Sequence, residues 1–136
     1  MEIVDTLKNG YKIIQNSEMF KFGIDAVLLS YFSFNQIRNN EKIIDLGTGN
    51  GIIPLLLAKS RAKTITGLEI QKENVEIAKK SIALNQLENK INVIQGDIKL
   101  VSKDFPKHSF DSVLTNPPYM INNHGKQNPN NAKLIA

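Results

Sequence analysis

The chain has 136 residues, room for one domain, and its 41% hydrophobic and 22% charged residues are an ordinary globular composition. No apolar run approaches the ~18 residues a membrane-spanning helix needs, the start Met1-Glu2-Ile3-Val4-Asp5 shows no secretory signal, and the lack of cysteine excludes disulfides, thiolate metal sites and cysteine nucleophiles. The net charge of +4 comes from scattered lysines, with Arg38 and Arg61 the only arginines, so it suits a polyanionic partner without requiring one, and a cytoplasmic location is the default expectation.

In chain order, Asn9-Gly10 stands between Asp5-Thr6-Leu7-Lys8 and Tyr11-Lys12-Ile13-Ile14-Gln15. This pair predicts a hairpin with a two-residue turn, both central positions at positive φ. A helix is expected from about residue 24, with Ile24, Val27, Leu28 and Tyr31 spaced as one face. Glu41 to Leu46 reads as a buried strand ending in a glycine cluster. Gly51 to Ser60 reads as a helix apolar nearly all round, tolerating Pro54 because it falls in the first turn.

Thr64 to Ile70 is the second strand, and Lys72 to Asn85 is an amphipathic helix. Val75, Ala78 and Ile82 form its apolar stripe, with Glu76 and Lys80 on the wet side. Ile91 to Gln95 is the third strand, Ile98 to Lys103 one or two helical turns, and Ser109 to Thr115 the fourth strand. Asn116-Pro117-Pro118-Tyr119 stops that strand, and an asparagine-rich polar segment follows from Met120. Strands alternating with helices imply βαβ units, a parallel sheet and the α/β class. The expected organisation is a hairpin and lead-in helix over 1–40, a ligand-binding half-domain over 41–119, and a polar tail or loop over 120–136.

Asp45-Leu46-Gly47-Thr48-Gly49-Asn50-Gly51 lies between a strand and a helix, where glycines permit a tight turn and let a ligand reach the main chain. Its G-x-G-x-G spacing differs from the G-x-G-x-x-G of dinucleotide-binding loops. Glu69, ending the second strand, can accept hydrogen bonds from both hydroxyls of a ribose. Asp97, ending the third, can accept one from an adenine amine. Each acid alone fits a solvated strand end; three at successive strand ends around one glycine turn point to a ligand. His108 and His124 are isolated and make no metal site.

These residues together with Asn116-Pro117-Pro118-Tyr119 resemble the class I S-adenosylmethionine-dependent methyltransferases. The tetrapeptide is similar to that of enzymes methylating an adenine exocyclic amine or a glutamine amide. The resemblance implies a Rossmann-like fold with strand order 3-2-1-4-5-7-6, S-adenosyl-L-methionine as cofactor, and Asn116, Pro117 and Tyr119 as the catalytic residues. Asp45, Gly47, Gly49, Gly51, Glu69 and Asp97 would bind the cofactor. The segment from Phe20 to Leu29 is similar to the lead-in of the tRNA1(Val) adenine-37 N6-methyltransferase family. That similarity implies tRNA as substrate, places Gly23 and Asp25 near the methionine end of the cofactor, and requires no metal or membrane.

A release-factor-type glutamine N5-methyltransferase is the alternative, although its family carries a sizeable N-terminal helical domain. A DNA adenine methyltransferase would need a recognition region that this chain has no space for. A non-catalytic cofactor-binding module is the reading from another class. The resemblance further implies a sheet stopped after the fourth strand, an edge open to self-association, and weak or no turnover by the chain alone.

Overall fold

A computed structural model describes residues 1–16 and 23–116. The N-terminal hairpin pairs β1 (Glu2–Thr6) antiparallel to β2 (Lys12–Asn16), with Thr6 opposite Lys12. The turn is wider than Asn9-Gly10 alone suggests. Residues 7–11 form the loop, closed by Leu7 N–H donating to the Tyr11 carbonyl at 2.7 Å and Gly10 N–H to the Leu7 carbonyl at 2.9 Å. Of the two central residues only Gly10 adopts positive φ, at +90°. Asn9 is held by other bonds: its Oδ1 accepts from Tyr11 N–H at 3.1 Å and its Nδ2 donates to the Leu55 carbonyl at 2.9 Å.

α1 (Ile24–Phe34) forms where its apolar spacing predicts, but turned about its axis. Ala26 and Ser30 are its buried residues, and α1 packs on the helix that follows the glycine turn. Small side chains one turn apart let two helices approach closely, and the Ser30 hydroxyl is satisfied by the Ala26 carbonyl at 2.9 Å. The expected inward face is therefore outward: Ile24 is 71% and Tyr31 75% exposed, and Val27 and Leu28 are also exposed.

The main sheet is wholly parallel, in the order β5–β4–β3–β6, from β3 (Lys42–Leu46), β4 (Thr64–Glu69), β5 (Ile91–Gln95) and β6 (Ser112–Thr115). This is the 3-2-1-4 part of the expected order, and the chain is α/β as anticipated. Ile43, Ile44, Ile65, Leu68, Ile91 and Val93 are buried, as expected where a parallel sheet is covered on both faces. β6 is shorter than the predicted strand. Ser109 N–H turns back to the Pro106 carbonyl at 3.3 Å, and Asp111 docks on Lys42 through its N–H at 2.7 Å and its Oδ2 at 2.8 Å.

α2 (Ile52–Leu56) covers only half of the predicted Gly51–Ser60. Ser60 N–H donates to the Leu57 carbonyl, a tight turn that bends the chain back toward β4. Its apolar character still holds, with Ile52, Ile53, Pro54 and Leu55 all buried. α3 (Lys72–Leu84) buries Val75, Ala78 and Ile82 as expected, adding Ile77 and Ser81.

The hairpin rides on the far side of α3. Asn85, just past its last turn, pairs with the backbone of Lys12 as a strand would, its Oδ1 accepting at 2.8 Å and its Nδ2 donating at 2.6 Å. Ser81 Oγ accepts from Ile14 N–H at 2.8 Å in the buried seam. After β5 come a 3-10 turn (Ile98–Leu100) and α4 (Val101–Asp104), matching the helical turns expected there.

Candidate functional site

The strand order makes β3 the switch point: the chain runs outward to β4 and β5, then returns to pair β6 on the other side. Open α/β sheets bind ligands beyond the carboxyl ends of strands at such a point. The register puts Leu46 opposite both Leu68 and Thr115, and Glu69 opposite Gln95. One step on, Gly47 and Asn116 emerge at the same edge as Glu69. Gly96 N–H donates to the Glu69 carbonyl at 2.9 Å, which brings Asp97 to that edge as well.

Gly47, Gly49 and Gly51 take φ of +74°, +59° and +88°, so the turn uses all three glycines in the conformation other residues avoid. The N–H groups of Gly47 and Thr48 both donate to the Leu68 carbonyl, at 2.8 and 2.9 Å, folding the turn over β4. Thr48 is buried there on Gly67, where an added Cβ would lie 2.7 Å from Thr48 Cγ2. At Gly49 an added Cβ would meet nothing within 4 Å, so the open side of the turn faces outward.

Glu69 is only 7% exposed, and its carboxylate braces the turn. Oε1 accepts from Gly49 N–H at 2.9 Å; Oε2 accepts from Gln71 N–H at 3.0 Å and from Asn74 Nδ2 at 3.3 Å. Asp45 is 1% exposed, and neither of its oxygens, nor Thr48 Oγ1, has a hydrogen-bond partner among the described residues. Burial pushes the Asp45 carboxyl up to about 7. The nearby Thr48 hydroxyl favours the charged form, and the Glu69 charge opposes it. Thr48 is near enough to act on Asp45, yet no bond within ordinary geometry joins them, so burial decides the direction.

Asp97 caps the 3-10 turn, its Oδ1 accepting from Lys99 N–H at 2.9 Å. Gly23 and Asp25 stand exposed at the start of α1, on the helix packed against α2 rather than on the turn itself. Asn116 is half-buried beyond β6; Pro117, Tyr119 and His124 lie outside the described residues, and His108 is exposed. The sheet edge thus brings together Asp45, the three glycines, Glu69, Asp97 and Asn116.

Some residues at the edge escaped the sequence reading. Gly67 is one; a glycine inside an otherwise β-branched strand is the signal of close backbone approach that could have found it. Ile70 and Ile98, both exposed, follow Glu69 and Asp97, and Ile98 Cδ1 lies 3.9 Å from where a Gly47 Cβ would be. They supply an apolar flank beside the carboxylates. Asn74 had no sequence signal at all.

A concavity of about 630 Å³ lies at the opposite edge among Gln36, Arg38, Glu41, Asp111 and neighbours. Bonds joining Lys42 to Asp111, Arg38 N–H to Glu41, and Ser112 to Glu41 run across it and tie the start of β3 to β6. Among the described residues no three metal-binding side chains cluster, and no helix is long and apolar enough to cross a membrane.

Comparison with known proteins fits this arrangement. The chain is 32% identical over 128 residues to the tRNA1(Val) (adenine(37)-N6)-methyltransferase of Tolumonas auensis, covering 93% of this chain and 51% of that protein. The Histophilus somni protein of the same name is 33% identical over 111 residues, covering 80% and 46%. The chain therefore spans about half the length of the curated relatives it matches.

In fold it is similar to Methanocaldococcus jannaschii Trm5 in complex with adenosine, with a TM-score of 0.71, 24% identity, and coverage of 87% of this chain and 35% of that one. A SAM-dependent methyltransferase from Agrobacterium tumefaciens also scores 0.71, at 21% identity, covering 86% and 40%. The family model described as "Methyltransferase small domain" matches residues 17–135. The chain belongs to the methyltransferase small domain family.

Proposed function

We propose that this chain is the cofactor-binding part of an S-adenosylmethionine-dependent N-methyltransferase acting on the exocyclic N6 amine of an adenine in tRNA. The observation that carries the reading is the convergence of Asp45, Glu69, Asp97 and Asn116 on one sheet edge around the glycine turn. The residues suit the cofactor. Asp45 and Thr48 hold three buried polar atoms without partners among the described residues, Gly49 opens outward, and Glu69 offers the remaining acceptor position on Oε1 to a ribose. Asp97 accepts from the adenine amine, with Ile70 and Ile98 flanking the ring. Gly23 and Asp25, exposed at the start of α1, are assigned to the methionine end. S-adenosylmethionine, when bound, supplies a methyl group on a sulfonium.

The chain's part in the chemistry is positioning and charge stabilisation. The target amine is conjugated to its ring and a weak nucleophile. The Asn116 side-chain oxygen and the Pro117 carbonyl accept its N–H groups and offset the positive charge that grows on nitrogen during transfer. Tyr119 offers a ring face for stacking the splayed-out base, worth ~1–3 kcal/mol. The tRNA substrate follows the names of the relatives, and a cytoplasmic site of action follows the substrate. β6 pairs only with β3 among the described residues, and Val113 on it is 59% exposed, which supports self-association through that edge.

Calorimetric titration with S-adenosylhomocysteine tests the cofactor site. Binding is expected, and Glu69→Ala should weaken it at least tenfold, about 1.4 kcal/mol. Unchanged affinity in the variant would remove Glu69 from the ribose. Labelled-methyl transfer to bulk tRNA, release factor and DNA then separates the substrate classes. Label in the release factor alone would favour glutamine methylation, and cofactor binding without label anywhere would favour a non-catalytic module.

A further inference from the structure

The Glu69 carboxylate is almost fully engaged before any ligand arrives, and this gives a role to a residue outside every motif. A carboxylate offers about four acceptor positions, two on each oxygen. Gly49 N–H takes one on Oε1, while Gln71 N–H and Asn74 Nδ2 take both on Oε2. The two backbone donors are fixed by the turn and by the start of α3. The third is a side chain, and Asn74 Nδ2 is itself tied to Gln71 Oε1 at 2.9 Å. The Gln71–Asn74 amide pair thereby fixes the plane of the carboxylate and leaves the one remaining acceptor position on Oε1, the oxygen that faces the glycine turn.

We infer that Asn74 is a positioning residue for sugar recognition: through Glu69 Oε2 it orients Oε1 toward the ribose 2′-hydroxyl and makes the site select a ribonucleoside over its 2′-deoxy counterpart. This inference rests on the cofactor site proposed above and adds to it a residue and a selectivity. An oriented acceptor loses little entropy on binding, whereas a carboxylate free to rotate must be ordered by the ligand. Asn74 is half-buried in the first turn of α3, one turn before Ala78, so Asn74→Gln, which keeps the amide, separates loss of the bond to Glu69 from loss of packing.

The test measures adenosine and 2′-deoxyadenosine binding by calorimetry, using this chain, Asn74→Ala and Asn74→Gln. In the unsubstituted chain adenosine should bind the tighter. Asn74→Ala should weaken adenosine about fivefold while changing 2′-deoxyadenosine by less than twofold, so the preference between them narrows. Asn74→Gln, which retains an amide donor, should recover part of that preference.

An undiminished preference in Asn74→Ala overturns the inference and leaves the cofactor site standing. So does equal weakening of both nucleosides, which marks a general structural effect, or tighter adenosine binding, which marks Asn74 as a competitor for Oε2. If the unsubstituted chain binds neither nucleoside, the cofactor site itself is refuted, and the inference with it.

Discussion

Asp45→Asn isolates the cost of a carboxyl that is buried without a hydrogen-bond partner among the described residues. Its group titrates at about 7 in the fold, against an ordinary value of 3.8. Between these values the folded chain holds a proton that the unfolded chain has lost, so the acid's contribution favours folding below pH 3.8 and is lost progressively up to about pH 7. Roughly three pH units at 1.36 kcal/mol each amount to about 4 kcal/mol, a large share of a small domain's stability.

The asparagine cannot ionise, so its stability should be nearly flat over that window, apart from changes shared with the parent. The neutral amide carries its own cost of ~1–3 kcal/mol for an unsatisfied buried group, which offsets the curves but not their slopes. Urea denaturation of both chains at several pH values from 4 to 8 measures the difference. The parent should lose about 4 kcal/mol relative to Asp45→Asn across the range. Parallel curves would show that Asp45 does not keep its proton, and the account of a carboxyl held neutral by burial beneath the turn would fall.

Three further outcomes follow from the same geometry. Gly67→Ala forces a Cβ to within 2.7 Å of Thr48 Cγ2 and should cost ~1–3 kcal/mol by overpacking. It should also reduce S-adenosylhomocysteine affinity by displacing the turn; unaltered stability and affinity by urea titration and calorimetry would mean that Thr48 can move freely. Asn85→Ala removes both bonds to Lys12 and should destabilise the chain by about 1 kcal/mol, with faster hydrogen exchange in β2 and not in β4. Exchange rising equally in both strands would argue against local docking. Asn116→Ala should abolish the methyl transfer to tRNA that the unsubstituted protein shows, with cofactor affinity nearly intact, and loss of both would move Asn116 from the reacting amine to the fold.

The parallel sheet and α3 were legible because their signals are strong and local: Ile43-Ile44 and Val75, Ala78, Ile82 declare burial by periodicity. The face of α1 was not. Ile24, Val27, Leu28 and Tyr31 have the spacing of a core stripe, but spacing cannot say which partner covers it, and the smaller Ala26 and Ser30 meet α2 instead. The width of the hairpin turn is not legible because Asn9 is used for a long-range bond to the Leu55 carbonyl rather than for its tolerance of positive φ. At the site, glycines and strand-end acids stand out in one dimension. Asn74 and Gly67 act only through what the fold lays against them, Glu69 in one case and Thr48 in the other.

The Leu68 carbonyl accepts from both Gly47 and Thr48, so the glycine turn takes its position from the neighbouring strand as much as from its own. Sliding β4 by one residue along β3 would move Glu69 by ~3.3 Å, beyond hydrogen-bond reach of Gly49, and would reverse the faces of Gly67 and Leu68. Only one alignment of the two strands therefore yields a working turn. A ligand that binds only the turn formed by this alignment would stabilise it over every other pairing of the two strands.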